Sequence, residues 1–171
     1  MKKSIMILFL CMCLFISGCS TSSTSKQLSA KELFNLKTSS IEDEAVVNAI
    51  INGVEIPANL GSHSLYYQIT GDPLYVNIEF DTVWDSKNIV DYKTTMIKKS
   101  LLILSLIDNA DAVVFSYRWM DTDEEMTNIL AVTPAYAESL LSSDIHSYSD
   151  SEESVADLLK KLDDLKIEVS E

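Results

Sequence analysis

Residues 101–107 read Leu-Leu-Ile-Leu-Ser-Leu-Ile, a stretch that is apolar at every position except the fifth. It ends a longer segment with the apolar spacing of a helix, and that segment opens at Asp85 or Ser86, which are suitable capping residues. A helix that is apolar all round is normally packed on several sides. We therefore predict a long helix ending at about Ile107 as the central element of the core.

Alternating apolar and polar residues predict two hairpins, one before and one after this helix. The first joins strands over Leu65–Thr70 and Leu74–Phe80 through the turn Gly71-Asp72-Pro73. The second joins strands over Ala112–Trp119 and Asn128–Thr133. Two hairpins flanked by helices indicate an α+β, two-layer fold, with about four antiparallel strands and the helices packed on one face.

Further helices are predicted before the first hairpin and after the second. They run from Ser29, which opens a capping box with Glu32, to about Leu36, from Ile41 to Gly53, from Pro134 to Leu141, and from about Ser154 to Lys166. Residues 142–153 are rich in serine and acidic side chains, and we predict that they are mobile. The sequence thus predicts one folded domain over residues 30–171.

The N-terminal residues have the order of a lipoprotein signal peptide. Two lysines follow the first methionine, Ile5–Ile16 is an apolar run, and Ile16-Ser17-Gly18-Cys19 resembles a bacterial lipobox. We expect cleavage between Gly18 and Cys19, so that residues 1–18 are removed and the Cys19 thiol carries a diacylglyceryl group. This group has two acyl chains, which anchor a protein stably in a membrane, whereas a single chain gives only marginal binding. The alternatives are an ordinary cleaved signal, in which the cysteine is incidental, and an uncleaved anchor helix.

The predicted mature chain starts with a tether and is strongly acidic. Residues 19–29 are the tether, since seven of the ten residues after the cysteine are Ser or Thr. No cysteine follows Cys19, which excludes disulfides and cysteine-ligated metals from the domain. Without Lys2 and Lys3, 11 basic and 26 acidic side chains remain. Such a charge repels phosphate backbones, so nucleic acid is not an expected partner.

Four segments of the sequence carry a family likeness. They are Leu33-Phe34-Asn35-Leu36-Lys37-Thr38, Val46–Pro57, Ile78-Glu79-Phe80-Asp81-Thr82 and Leu101–Tyr117. Together they resemble the bacterial domain-of-unknown-function 4825 (DUF4825) family over roughly Ala30 to Thr133. The resemblance implies an extracytoplasmic sensing or binding module, because that domain occurs on small lipoproteins and at the outer end of membrane metallopeptidases of the β-lactam-sensor antirepressor type. The chain departs from the family at Ser40-Ile41-Glu42 and at Val83–Ser86, so a ligand site shaped by either motif would bind something else here.

The sequence offers little catalytic or metal-binding chemistry. The two histidines, His63 and His146, are far apart in the chain and form no helical ligand pair, so a zinc site is not expected. The acidic run Asp121–Glu125 is predicted to be a solvated hairpin turn, with weak calcium binding as the alternative, because it lacks the glycine and distant glutamate of an EF-hand. The nucleophile motif Gly-x-Ser-x-Gly is missing from the sequence. We expect no enzyme and no cofactor.

Four side chains on the strands are the candidate binding residues. Tyr66 and Tyr75 occupy polar positions of the first hairpin, Trp84 follows its second strand, and Arg118 lies at an outward position of the third strand. Together they predict a binding patch on the open face of the sheet. The alternative is that they cover the sheet or lie under the C-terminal helix, since single exposed aromatic residues are common.

These observations favour a lipid-anchored, extracytoplasmic binding or sensor module of the bacterial cell envelope. It would meet the membrane through the lipid on Cys19 and would bind an unknown ligand or envelope protein. A second hypothesis is an accessory lipoprotein that acts by protein contact on an envelope enzyme or transporter. A third is an unrecognised hydrolase, which a cleft with two carboxylates of shifted pKa would indicate.

Replacing the lipid-bearing thiol tests the predicted anchor. We expect Cys19→Ala to leave the precursor unprocessed or to release the protein from membranes, because no acyl chains can be attached. Membrane fractionation and intact mass measure the effect. An unchanged mass and an unchanged membrane fraction would contradict the lipoprotein assignment.

Overall fold

The computed structural model describes residues 26–121 and 123–169. The signal peptide, the cleavage site and Cys19 lie outside the described residues. The helices are α1 (Ala30–Phe34), α2 (Glu44–Val54), α3 (Ile89–Leu106), α4 (Pro134–Leu141) and α5 (Glu152–Asp164). The strands are β1 (His63–Gln68), β2 (Tyr75–Asp85), β3 (Ala112–Asp121) and β4 (Glu124–Val132), and short 3-10 helices cover Ala58–Leu60, Ser86–Asn88 and Ile145–Ser149.

The four strands form one mixed sheet in the order β1-β2-β3-β4. The outer pairs β1/β2 and β3/β4 are antiparallel hairpins, as predicted, but the central pair β2/β3 is parallel. The α+β class is therefore confirmed, whereas the expectation of an entirely antiparallel sheet is wrong for the central pair. The cause is α3: 18 helical residues span about 27 Å and carry the chain back along the sheet before β3 begins.

The pairing of β2 with β3 contains a bulge. The register shifts between Glu79 and Val83, which pair with Ser116 and Arg118, so three residues of β2 stand opposite one residue of β3. An excess of two residues keeps the side-chain alternation in phase. Trp84 consequently lies on the same face of β2 as the apolar residues before the bulge.

Helix α3 is the centre of the core. Every residue from Ser100 to Ile107 is buried. The helix contacts β3 and β4 and also contacts α2, α5 and the 3-10 helix Ile145–Ser149. Its two buried serine hydroxyls are hydrogen-bonded within the helix and can therefore lie in apolar surroundings. The Ser100 hydroxyl donates to the Met96 carbonyl at 2.9 Å, and the Ser105 hydroxyl donates to the Leu102 carbonyl at 2.8 Å.

The segment that was predicted to be mobile is packed against the core. Within residues 142–153, Ile145 is fully buried and Tyr148 is nearly so, both in the 3-10 helix that contacts α3. The prediction relied on the many polar residues of the segment. It missed that Ile145 and Tyr148, three residues apart, lie on the same side of a 3-10 helix. The last helix begins at Glu152, where the Ser151 hydroxyl accepts from the Ser154 amide, slightly earlier than predicted.

None of the helices in residues 26–121 and 123–169 combines the length and the apolar character that a membrane crossing requires.

Two glycines with positive φ allow a matched test of the bulge. Gly61 has φ 99°, and a Cβ there would lie 2.1 Å from Thr82 Oγ1 in the bulge, whereas Gly71 has φ 90° and no neighbour within 4 Å of such a Cβ. Both alanine substitutions incur backbone strain, of order 1–3 kcal/mol. Only Gly61→Ala adds a clash, so we expect it to lower the free energy of unfolding by clearly more than Gly71→Ala in denaturant titrations. Equal losses would contradict the close approach of Gly61 to the bulge.

Candidate functional site

One face of the sheet carries no helix in the part of the chain that the structure describes. We call this surface the bare face. Its side chains alternate with buried core residues such as Val76, Ile78 and Phe115, which point to the helices. The strand register places these bare-face residues in two rows across the sheet: Tyr66, Asn77, Val114 and Ala131 in one, and Ser64, Glu79, Ser116 and Ile129 in the other.

The bare face exposes large apolar side chains among polar ones. Ile129 is 69% exposed and Tyr66 is 54% exposed, and Met120 is also exposed at one end of the face. Between them, the Ser116 hydroxyl donates to Asn77 Oδ1 at 3.0 Å across β2 and β3. Exposed apolar groups on a hydrogen-bonded sheet are a rigid surface on which another macromolecule can bury area.

Two of the predicted binding residues lie together on the bare face. Tyr66 pairs with Asn77, and Tyr75 is two residues before Asn77 on the same strand face. Such diagonal positions are within reach of aromatic side chains. The register therefore places Tyr66 and Tyr75 at neighbouring positions of the bare face, at the end of the sheet away from the bulge.

Arg118 also lies on the bare face, but its guanidinium group is engaged within the domain. Nη2 donates to the Asp81 carbonyl oxygen at 2.7 Å, and Nη1 donates to Glu125 Oε1 at 2.9 Å. The first bond satisfies a carbonyl that the bulge removes from the regular ladder. Arg118 thus supports the bulge and joins it to β4, and it is separated along the sheet from the two tyrosines.

Trp84 is not part of the bare face, and its assignment to a binding patch is wrong. The side chain is 2% exposed, its Nε1 donates to the Leu60 carbonyl at 2.9 Å, and its ring stacks on Tyr117 with centroids 4.9 Å apart. The two-residue excess of the bulge explains this, because it keeps Trp84 in phase with Phe80 on the core face. Continuing the apolar alternation of β2 to Trp84 would have given the correct face from the sequence.

A half-buried lysine, which sequence reasoning missed, fastens the start of the domain. Lys99 Nζ on α3 donates to the Val54 carbonyl at 2.8 Å and to Gln27 Oε1 at 2.9 Å. Burial lowers the pKa of Lys99. Next to it, the Leu28 amide donates to the Gly53 carbonyl at 2.8 Å, which fixes the residues before α1 to the end of α2. A cleft of about 220 Å³ lies beside Lys99 and Asp163. The Lys99 ammonium group already donates to two groups of the domain itself, so its role is to hold the structure together.

The histidines and carboxylates do not converge on one point in the described residues. His63 packs edge-on against Phe80 with ring centroids 5.8 Å apart, and His146 lies in the 3-10 helix Ile145–Ser149, which contacts α3. Burial lowers the pKa of the His63 imidazole and outweighs the opposing effects of the Gly61 backbone and the Asp81 carboxylate. Residues 26–121 and 123–169 contain no group of three or more His, Cys, Asp or Glu side chains that could hold a metal ion.

These features define a small α+β domain with a mixed four-stranded sheet, helices on one face and the other face bare. A family model described as "Domain of unknown function (DUF4825)" matches residues 33–129, from within α1 to most of β4. The match covers more than half of the chain, and the chain belongs to the DUF4825 family, which confirms the resemblance seen in the sequence. Comparisons with curated proteins and with solved structures gave no match.

The lowered pKa of His63 predicts a pH-dependent loss of stability. In the unfolded chain a histidine takes up a proton near pH 6.5, whereas the buried ring resists it, so His63 destabilises the fold as pH falls below about 6.5. We expect the unfolding free energy of the wild type to fall more between about pH 7.5 and pH 5 than that of His63→Gln. The difference between the two curves isolates the contribution of His63, because the two proteins share every other titratable group. Parallel curves for wild type and His63→Gln would contradict the burial of His63.

Proposed function

We propose that this protein is a lipid-anchored, extracytoplasmic binding module of the bacterial envelope, and that it meets a macromolecular partner through the bare face. The observation that carries the proposal is the exposure of Ile129, Tyr66 and Met120 on one rigid, uncovered sheet. Small-molecule sites are usually concave and mostly apolar. An exposed sheet face with apolar side chains among polar ones is better suited to a protein surface.

The attachment of the chain supports this use of the bare face. The first described residues lie against the end of α2 and against Lys99 of α3, in the helical layer. The described part of the tether therefore joins the domain on the helical side of the sheet, opposite the bare face. The lipobox at Ile16–Cys19 supports the anchor itself, and membership of the DUF4825 family agrees with a role outside the cytoplasm as far as the resemblance implies one.

The same observation favours a second candidate, an accessory lipoprotein that acts on an envelope enzyme or transporter by protein contact. Both candidates require a partner on the bare face, and they differ in whether the contact reports a signal or modifies the partner. The described residues provide no metal cluster that would favour a hydrolytic metal site instead.

Site-specific crosslinking in intact cells tests the proposal. A photoreactive benzoylphenylalanine at Ile129 lies on the bare face, and the same residue at Ala156 lies on the exposed side of α5 and is the matched control. We expect the Ile129 probe to give a discrete crosslinked species that the Ala156 probe does not give, and we expect Cys19→Ala to reduce it, because the unanchored domain is no longer held near its partner. No product at Ile129, or the same product at both positions, would contradict the proposal.

A further inference from the structure

Strand β4 is an edge of the sheet, and no strand among the described residues pairs with its outer side, which we call its free side. It pairs with β3 over nine residues and stands last in the strand order. Its hairpin has two residues between the paired Asp121 and Glu124. In a two-residue hairpin this flanking pair exchanges both hydrogen bonds, and the bonded pairs then alternate along the ladder. The backbone N–H and C=O groups of Glu125, Thr127, Ile129 and Ala131 therefore point away from β3.

The free side of β4 lacks the features that usually block an edge strand. After Glu124 and Glu125 its sequence, Met-Thr-Asn-Ile-Leu-Ala-Val, contains no proline and no charged residue, and its register with β3 is regular. Proteins protect exposed edges with such residues, with bulges or with very short strands. The opposite edge, β1, has only six residues. Strand β4 is thus the better template for an added strand, and the side chains of its outward-pointing residues lie on the bare face.

The charge of the strands selects the kind of partner. The four strands contain six acidic side chains and a single basic one, Arg118, which is already paired with Glu125. Asp123 and Glu124 are exposed at the hairpin end of β4. A second copy of the predicted mature chain, with its 11 basic and 26 acidic side chains, would bring further negative charge to the contact. Electrostatic complementarity instead favours a cationic segment.

We propose that β4 accepts an extended, lysine- or arginine-rich segment of a partner protein as a fifth strand of the sheet. The inference rests on the proposed function and specifies the partner class and the mode of contact at the edge of the bare face. Backbone hydrogen bonds to residues 125–131 supply the affinity, the apolar side chains of the segment lie beside Ile129, and its basic side chains lie near the acidic hairpin.

A peptide of defined strand-forming ability tests this directly on the full-length protein in detergent. The probe is a fluorescein-labelled nine-residue peptide of alternating Lys and Val, and the control peptide replaces each Val by D-Val, which preserves charge and composition but prevents a regular strand. We expect the all-L peptide to bind at least about ten-fold more tightly by fluorescence anisotropy at physiological salt. Equal binding of both peptides would show charge attraction alone and would overturn the proposal.

A proline at an outward position removes one donor from the edge and none from the pairing with β3. Thr127→Pro is such a change, and Thr127→Val, which retains the N–H, is the matched control. We expect Thr127→Pro to weaken binding of the all-L peptide by about ten-fold or more, and Thr127→Val to stay within about two-fold of the wild type. Far-UV circular dichroism and thermal unfolding establish that the proline variant is folded; if it is not, Ile129→Pro replaces it.

Two other results would overturn the inference. One is unchanged peptide binding by a folded proline variant. The other is concentration-dependent dimerisation that the proline abolishes, since the occupant of the edge would then be a second copy. If the Ile129 crosslink in cells persists in Thr127→Pro, strand addition fails while the proposed function stands; if the crosslink is missing in the wild type, the proposed function itself fails.

Discussion

The burial of the C-terminal half of α3 is the constraint on which the rest of the structure depends. Eight consecutive residues, Ser100 to Ile107, are inaccessible to solvent, so the chain must supply packing partners around the whole circumference of the helix. The sheet covers one side through β3 and β4, and α2, α5 and a 3-10 helix cover the rest. The end of α3 is also fastened, because the Thr38 amide donates to the Leu106 carbonyl at 2.9 Å and satisfies an otherwise unpaired helix terminus.

This requirement explains why the sheet has a bare face. All the described helices contact α3 or one another, and the 18 residues of α3 set the direction in which β3 returns along the sheet. With these helices on the α3 side, no helix in residues 26–121 and 123–169 covers Tyr66 or Ile129. The same architecture leaves β4 as a long, regular edge. The functional proposals thus follow from the packing of the helices around α3, which leaves the bare face and the β4 edge exposed. They do not require a pocket or a cluster of reactive groups.

The parts of this fold that could be predicted from the sequence are those that local periodicity determines. The apolar stretch at residues 101–107 identified the core helix, and alternation identified both hairpins. The direction of β3 relative to β2 depends on how α3 connects the two strands. The alternation of residues within either strand gives no information about that connection. The face of Trp84 could also be predicted, since it continues the alternation of Ile78 and Phe80. The bulge itself could not, because it is formed by a long-range pairing and is supported by the bond from Arg118 to Asp81. Contacts such as Lys99 to Gln27 join residues 72 positions apart and have no local signal.

Residue-resolved hydrogen exchange along β4, measured by NMR on the isolated protein, tests most directly whether the sheet has this free edge. The account predicts alternation: the outward amides of Thr127 and Ile129 exchange fast, and the amides of Asn128 and Leu130, which pair with β3, exchange slowly. The amides of the buried half of α3 should be among the slowest. Uniform protection along β4 would mean that its outer side is already paired or covered, and it would contradict both the free edge and the bare-face account of how this protein binds.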